Sequence, residues 1–157
     1  MQVVLATGGF DHKITIWESS GKDIKVMKFP ESQINCLDVS KDKKLLAAAG
    51  NPIIHLYDIN GNIETPNATL DGHSGNVTSI GFQKDGIFIF IFISPCPIHF
   101  NKKLRECPGK WLYSGSEDGT IKIWDLYTLS CKRTFDCSAA VNTVLLSPNQ
   151  SELISGN

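Results

Sequence analysis

One motif occurs three times along this sequence, and it constrains the fold more than any other feature. Each copy runs from small residues through a turn into a short strand that ends on an aromatic side chain. The copies are residues 6–17, 46–57 and 113–124, with turns at Asp11, Asn51 and Asp118. Apolar residues at every second position before the aromatic one are typical of a strand with one buried face. The motif therefore predicts repeated antiparallel hairpins and not helices.

A second repeated segment precedes each turn and predicts a further strand. Its copies are residues 34–39, 77–82 and 141–146, each followed by a polar turn. The variable link after each aromatic residue has room for one more strand. Each repeat is therefore predicted to be a four-stranded antiparallel sheet.

The repeat spacing is interrupted once, by residues 87–109. Trp17 and Tyr57 are 40 residues apart, whereas Tyr57 and Trp124 are 67 residues apart. Removing these 23 residues restores the period, because residues 40–46 then align without a gap to the flanking segments. The segment begins with seven alternating Ile and Phe residues, which are unusual in a surface loop and prone to cross-β association if exposed. We interpret it as a translated intron, with a lineage-specific loop and a membrane-inserting wedge as alternatives.

Composition excludes several classes of protein. Hydrophobic residues make up 41% of the 157 residues, which is too much for a disordered chain. The 15 Lys and Arg residues do not outnumber the 16 Asp and Glu residues, so the basic excess of a strong nucleic-acid binder is missing. No basic segment precedes an apolar run at the start, and the longest apolar run is too short to cross a bilayer as a helix. Neither a signal peptide nor a membrane span is predicted.

The cysteines favour a reducing compartment. Their number is odd, and no two are spaced as Cys-x-x-Cys. They are Cys36, Cys96, Cys107, Cys131 and Cys137. We therefore expect free thiols, no disulfide framework, no metal site and a cytoplasmic location.

Around the third motif, the residues resemble a WD repeat, the unit of one kind of β-propeller. Gly72-His73 precedes the insertion, and Trp124-Asp125 ends the strand that follows it. The resemblance implies a buried hydrogen-bonded set in this repeat, because a buried carboxylate and imidazole need partners. The members of the set are His73, Ser114, Asp118 and Trp124.

The other repeats keep less of this set. The first retains Thr7, Asp11 and Trp17. In the second, the equivalent residues are interpreted as Ala47, Asn51 and Tyr57. His73 and Asp118 could also be a catalytic base and its orienting group, but no nucleophile or metal set accompanies them. No catalytic, cofactor-binding or metal-binding residues are predicted, and the chain is not expected to be an enzyme.

The resemblance implies an all-β fold, a WD-repeat β-propeller that is incomplete, with about three and a half four-stranded blades of an expected seven. The expected blade bounds are about 1–30, 31–71, 72–136 (interrupted by 87–109) and, for a partial fourth blade, 137–157. We expect the chain to be the N-terminal half of a longer propeller. Because such a half leaves a blade face and strand edges uncovered, we expect it to be poorly soluble or to associate.

The departures from a standard WD repeat narrow the resemblance further. Ala-Ala-Ala-Gly at 47–50 with Tyr57-Asp58, and Pro-Asn-Gln-Ser-Glu-Leu-Ile at 148–154, are the most distinctive segments. With the stretches at 5–12, 32–35 and 111–118, they resemble the small WD-repeat subunit of the target-of-rapamycin (TOR) kinase complexes, the lethal-with-sec-thirteen protein eight family.

That resemblance implies a non-catalytic scaffold that binds and stabilises the TOR kinase domain, in complexes with other scaffold subunits. The complexes act in growth and nutrient signalling and in actin organisation. No kinase-contacting residue is carried over, so the partner-binding residues stay unknown, and no cofactor, nucleic acid or membrane span is implied. The alternatives are a WD-repeat adaptor in another pathway, of the G-protein β-like or ubiquitin-ligase type, and a non-functional truncated product.

Overall fold

The computed structural model describes residues 3–18, 23–29, 32–61, 65–83, 91–92, 111–148 and 152–157. Within these ranges the regular structure consists of fourteen β-strands in four sheets. Each sheet is one propeller blade, and the blades follow one another along the chain. Nowhere in these ranges is there a helix long and apolar enough to span a membrane.

The strands are labelled in chain order. Blade one contains β1 (Val3–Gly8), β2 (Lys13–Glu18) and β3 (Asp23–Lys28). Blade two contains β4 (Cys36–Val39), β5 (Leu45–Ala49), β6 (Ile54–Asp58) and β7 (Ala68–Leu70). Blade three starts with β8 (Val77–Phe82), which is followed along the chain by the short strand β9 (Ile91–Phe92). Blade three itself continues with β10 (Trp111–Ser116), β11 (Thr120–Asp125) and β12 (Ser130–Asp136). Blade four contains β13 (Thr143–Leu146) and β14 (Glu152–Gly156).

Blades two and three are four-stranded antiparallel sheets, which confirms the predicted repeat unit. Their strand orders are β4-β5-β6-β7 and β8-β10-β11-β12. Blade one has three antiparallel strands among the described residues, in the order β1-β2-β3. The hairpin aromatic residues Trp17, Tyr57 and Trp124 lie at the ends of β2, β6 and β11.

Most of the inserted segment, residues 87–109, lies outside the described residues. Its described part is β9, which pairs in parallel with β14 in the sheet of blade four. The inserted segment therefore lies between β8 and β10 of blade three along the sequence, but it contributes a strand to the sheet of blade four.

Among the described residues, the core consists of three apolar clusters, each between two successive blades. Alternate side chains of a strand point to opposite faces of its sheet, so every blade has a preceding face, toward the blade before it, and a following face, toward the blade after it. Ile14, Ile16 and Met27 of blade one pack against Leu46, Ala48 and Tyr57 of blade two. Ala47, Ile54 and Leu56 of blade two pack against Phe82, Leu112 and Trp124 of blade three. Tyr113, Ile121 and Ile123 of blade three pack against Val144 and Leu153 of blade four.

A backbone hydrogen bond repeats at each junction between blades. Ile34 N–H donates to the Gly9 carbonyl at 3.1 Å, and Val77 N–H donates to the Gly50 carbonyl at 2.9 Å. At the third junction, Val141 N–H donates to the Ser116 carbonyl at 3.0 Å. The carbonyl thus lies at or just after the end of β1, β5 or β10, and the donor lies at or just before the first strand of the following blade, β4, β8 or β13.

Gly81 is required by the way blade three packs on blade four. A Cβ atom at this position would lie 2.1 Å from the Tyr113 hydroxyl oxygen. Since Tyr113 belongs to the apolar cluster between these blades, a side chain at position 81 would displace part of the core.

Candidate functional site

The interior of blade three holds a chain of four hydrogen-bonded side chains, the set that the WD-repeat resemblance implied. Trp124 Nε1 lies 2.8 Å from Ser114 Oγ, and Ser114 Oγ lies 2.7 Å from His73 Nε2. His73 Nδ1 lies 2.8 Å from Asp118 Oδ2. The structure therefore brings all four residues together, although they are separated by the insertion in sequence.

Two strands, one turn and one loop position these side chains. Ser114 on β10 and Trp124 on β11 both face blade two, because Leu112, two positions from Ser114, pairs directly with Trp124. Asp118 lies in the turn between the two strands, and His73 lies in the loop that precedes β8. Ser114 is 0% exposed and Trp124 is 1% exposed, so the hydrogen bond between these two side chains is shielded from solvent.

Only one direction of donation satisfies every member of the chain with a neutral imidazole. An indole N–H donates only, and a carboxylate accepts only. Trp124 therefore donates to Ser114, the Ser114 hydroxyl donates to His73 Nε2, and His73 Nδ1–H donates to Asp118. In this assignment, each polar atom that links the four side chains has a hydrogen-bond partner, as buried polar groups require.

The charge states of the acid and the base agree with this assignment. Burial lowers the pKa of His73 below its ordinary value, against the opposing effect of the Asp118 carboxylate. Burial alone would raise the pKa of Asp118, but hydrogen bonds from Thr120, Ser74 and His73 outweigh it and hold that pKa well below its ordinary value. At neutral pH the pair is a neutral imidazole beside a carboxylate.

Asp118 also holds the turn and the loop around it. Its Oδ1 accepts from Thr120 N–H at 2.9 Å and from the Thr120 hydroxyl at 2.7 Å, while its Oδ2 accepts from Ser74 N–H at 3.0 Å. Thr120 was not predicted from the sequence to belong to this set. The signal for it was the Asp-Gly-Thr sequence, since an Asp side chain commonly accepts from the backbone two residues ahead in such turns.

The order Ser114–His73–Asp118 has the geometry of a hydrolase triad, so a hydroxyl does lie beside His73, where the sequence predicted no nucleophile. Three observations argue against catalysis. The serine is fully buried, its oxygen already accepts from Trp124 Nε1, and an apolar cluster of blade two covers the indole. A nucleophile must reach its substrate, so we interpret this arrangement as structural.

In blade one the structure brings together only part of the predicted set. Trp17 Nε1 donates to Thr7 Oγ1 at 2.9 Å, as Trp124 does to Ser114. Asp11 lies apart from them and accepts from Lys13 N–H at 3.2 Å, which closes its own turn. Thr7 is exposed and Trp17 is half-buried, so this pair is open on the preceding face of the blade.

In blade two the interpretation of Ala47 as the equivalent of Ser114 is wrong. Leu46 pairs with Tyr57 in the β5–β6 hairpin, as Leu112 pairs with Trp124 in blade three. The turn of blade two is therefore one residue shorter, and Ala48 takes the position of Ser114. Ala48 lies in the cluster against blade one, whereas Ala47 lies in the cluster against blade three.

Blade two pairs its interior polar groups with other partners. The Tyr57 hydroxyl donates to the Lys28 carbonyl of blade one at 3.2 Å. His55 Nδ1 and Thr69 Oγ1 are hydrogen-bonded at 2.9 Å, and the His55 ring packs edge-on against Phe29. These contacts replace the serine-centred chain of blade three.

A half-buried carboxylate that was not predicted from the sequence joins blades two and three. Asp38 on β4 accepts from Phe82 N–H, at the end of β8, at 2.7 Å and from Val39 N–H at 2.9 Å. The alternation of residues 36–39 alone did not distinguish Asp38 from a solvent-facing residue of the strand.

Within the described ranges, no group of three His, Cys, Asp or Glu residues is arranged to hold a metal ion. Among the described residues, Cys36, Cys131 and Cys137 form no disulfide. Burial raises the pKa of the Cys36 thiol to about 12, so this thiol stays protonated and unreactive at neutral pH. Cys96 and Cys107 lie outside the described residues.

Comparison with protein families gives a match that covers more than half of the chain. The profile described as "WD domain, G-beta repeat" matches residues 21–58, 64–92 and 107–125. The gap between the last two matches lies within the inserted segment 87–109.

Comparison with curated proteins gives relatives that align with almost the whole chain. The chain is 44% identical over 154 residues to "Protein LST8 homolog" of Dictyostelium discoideum, which covers 98% of this chain and 43% of that protein. It is 44% identical over 153 residues to "Target of rapamycin complex subunit LST8-1" of Arabidopsis thaliana, with coverages of 97% and 43%. It is 39% identical over 156 residues to "Target of rapamycin complex subunit LST8" of Saccharomyces cerevisiae, with coverages of 99% and 44%. The chain thus spans less than half the length of these relatives.

Comparison with solved structures gives the same fold at lower sequence identity. A chain of the "Crystal Structure of Mitotic Checkpoint Complex" aligns with a TM-score of 0.74 and 23% identity, covering 97% of this chain and 40% of that one. The "Crystal structure of RRP9 WD40 repeats" aligns with a TM-score of 0.70 and 19% identity, covering 96% and 40%. At these identities, the likeness concerns the fold alone.

Proposed function

This chain belongs to the WD-repeat family, and we propose that it forms part of a non-catalytic scaffold subunit that binds and stabilises the TOR kinase domain. The observation that carries the proposal is the identity of about 40% to TOR complex subunits of a plant and a yeast, spread over nearly the whole chain. We further propose, from the family resemblance of the sequence, that the subunit acts beside other scaffold proteins, in growth and nutrient signalling and in actin organisation.

The interior of the structure supports a binding role over a chemical one. Four side chains in the interior of blade three, His73, Ser114, Asp118 and Trp124, are hydrogen-bonded to one another, so their polar atoms hold the blade together and are not directed at a substrate. The free thiols of the described cysteines agree with the reducing cytoplasm, where we place the protein.

Two exposed aromatic side chains are candidates for partner contacts. Phe10 lies in the β1–β2 turn, and Tyr127 lies in the β11–β12 turn. These turns are at opposite ends of equivalent strands, so the two rings lie on opposite ends of the propeller. Aromatic residues are enriched among the side chains that dominate protein interfaces.

A chimaera tests the proposal in the context of a whole propeller. Residues 1–157 replace the aligned part of the Saccharomyces cerevisiae relative, and the tagged chimaera is purified from yeast cells. We expect the TOR kinase to co-purify at least about tenfold above background, close to the unaltered relative. The RRP9 WD40 repeats, which share the fold at 19% identity, are the matched control and should not enrich the kinase.

Two further variants sharpen the result. A chimaera without residues 87–109 shows whether the inserted segment affects kinase capture, and Phe10→Ala and Tyr127→Ala in the chimaera show which end of the propeller faces the kinase. A folded chimaera that captures other proteins but no TOR kinase would contradict the proposal and favour an adaptor in another pathway.

A further inference from the structure

The turn that follows β6 in blade two contains the single Asn-Gly pair of the sequence, Asn60-Gly61. Both residues are exposed. Asp58 holds the backbone of this turn, because its Oδ1 accepts from Asn60 N–H at 2.9 Å and its carbonyl accepts from Gly61 N–H at 3.3 Å. The turn therefore has a defined backbone, and it presents the Asn60 side chain to water.

The geometry of the turn favours a glycine after Asn60. A Cβ atom at position 61 would lie 3.0 Å from Asp58 Oδ2, so a side chain there would crowd the carboxylate that closes the turn. A glycine has no side chain to shield its backbone nitrogen. The nitrogen of Gly61 is therefore accessible to the side-chain carbonyl carbon of Asn60.

Other asparagines of the described residues are held or followed differently. The side chains of Asn35 and Asn76 are hydrogen-bonded to each other, and Asn67 Oδ1 accepts from the backbone of β6. Asn51 is followed by Pro52, whose nitrogen carries no proton. Asn60 alone combines an exposed position with a following glycine.

We propose that Asn60 is a site of spontaneous deamidation. The backbone nitrogen of Gly61 attacks the side-chain carbonyl carbon of Asn60, and a cyclic imide forms. The bond from that carbon to the side-chain nitrogen breaks, and this nitrogen leaves as ammonia with the proton that Gly61 N–H has lost. Water then opens the imide at either of its two carbonyl carbons, which gives aspartate or isoaspartate. Water is the sole co-reactant, and no enzyme takes part.

Both products change the surface of blade two. The new carboxylate is ionised at neutral pH and lies near that of Asp58. In isoaspartate the main chain also runs through the former side chain, which moves Gly61 N–H relative to the Asp58 carbonyl. Asp125 Oδ1 accepts from Tyr127 N–H as Asp58 Oδ1 accepts from Asn60 N–H, so the two turns are equivalent and lie at the same end of the propeller. The reaction itself does not depend on binding to the TOR kinase.

Peptide mass spectrometry during incubation in mildly alkaline buffer tests the proposal. The purified chain and the chimaera described above are both incubated, and circular dichroism reports whether each is folded. We expect Asn60 to be converted at least about tenfold faster than Asn35, Asn67 or Asn76, because only Asn60 precedes an unshielded nitrogen. Its peptide should separate into an aspartate and an isoaspartate form. Equal conversion of all four residues would overturn the proposal.

A second comparison tests whether the folded turn permits the reaction. The same proteins are incubated in urea, where the turn is lost. We expect Asn60 to convert in the folded protein as well as in the unfolded one. If Asn60 kept its amide in the folded protein and converted only in urea, the turn would protect it and the proposal would be overturned.

Asn60→Gln is the matched control variant. It keeps an exposed amide of the same polarity, but its side chain would have to close a larger ring and should react far more slowly. Ion-exchange chromatography should show the incubated chain moving to the elution position of Asn60→Asp, while Asn60→Gln stays in place. An equal shift of the Asn60→Gln chain would mean that the charge arises elsewhere, and the assignment to Asn60 would be wrong.

Discussion

Blades two and three have the same four-strand order, but they fill equivalent interior positions with different chemistry. In blade three, Trp124, Ser114, His73 and Asp118 form one continuous chain of hydrogen bonds. In blade two, Ala48 stands at the position of Ser114, and the Tyr57 hydroxyl donates to a backbone carbonyl of blade one instead. A buried donor needs an acceptor, and the comparison shows that either the blade itself or its neighbour can supply one.

The two solutions differ in how strongly their members depend on one another. In blade three, each of the four linked side chains is hydrogen-bonded to the next one, so removing one of them leaves a buried polar atom unpaired. The Tyr57 hydroxyl of blade two bonds to backbone, which no substitution removes. We therefore expect blade three to be the more sensitive blade, and the following changes test that expectation in order of decreasing effect.

The largest loss is expected for Asp118→Ala. It leaves His73 Nδ1, Ser74 N and Thr120 N without the carboxylate that accepts from them. Because each unsatisfied donor costs about 1–3 kcal/mol, we expect the free energy of unfolding to fall by about 3–5 kcal/mol. Asp11→Ala, which removes one bond in an exposed turn of blade one, is the matched control and should cost less than about 1 kcal/mol. Urea denaturation at one fixed protein concentration measures both. Equal losses would show that Asp118 is an ordinary turn residue.

Ser114→Ala in blade three and Ala48→Ser in blade two exchange the small residues at equivalent positions, and each should lower the free energy of unfolding. Ser114→Ala leaves Trp124 Nε1 and His73 Nε2 unpaired in a buried site, at a cost of about 2–3 kcal/mol. Ala48→Ser places a hydroxyl in an apolar cluster, at a cost of about 1–2 kcal/mol. The same denaturation experiment applies. If Ser114→Ala proved neutral, the four side chains would not act as a unit.

Acid should weaken blade three through His73. Because burial lowers the pKa of His73 in the folded chain, the unfolded chain binds a proton first as the pH falls below about 6.5. The stability contributed by the neutral imidazole is therefore present above that pH and is lost below it, by up to about 1.4 kcal/mol per pH unit. His73→Gln should show a shallower loss between pH 7 and 5 in thermal or urea unfolding. Parallel pH profiles for the two chains would contradict this.

The smallest effect is expected for Tyr57→Phe in blade two. The change removes the donor to the Lys28 carbonyl but keeps the ring in its cluster, so the loss should be about 1 kcal/mol. A loss as large as that of Ser114→Ala would mean that blade two also depends on one hydroxyl, and the contrast between the blades would fail.

The comparison of these blades also separates what the sequence predicts from what it does not. The hairpin of blade three keeps the standard spacing between Ser114, Asp118 and Trp124, so the WD-repeat resemblance placed these residues correctly relative to one another. The shorter turn of blade two leaves the aromatic end of the strand in place but shifts the residues before it by one. Because a one-residue shift moves a side chain to the other face of a strand, Ala47 was assigned to the wrong face.

Contacts between distant segments were harder to predict. Asp38 bonds to the backbone of Phe82, and nothing in the local pattern of either strand specifies that meeting. The parallel pairing of β9 with β14 joins a segment of unusual composition to an edge that lies far along the chain. Both depend on how blades are placed around the propeller, which alternation within one strand does not encode.

The repeated bond from Ile34, Val77 and Val141 to the carbonyls of the preceding blades has a consequence for how such a chain can evolve. Since both partners are backbone atoms, any residue except proline at the donor position preserves the bond. Successive blades can therefore keep their mutual alignment while their interiors drift apart, which is the difference seen between Ser114 and Ala48. The backbone contacts between blades can therefore stay the same while the side chains inside each blade change.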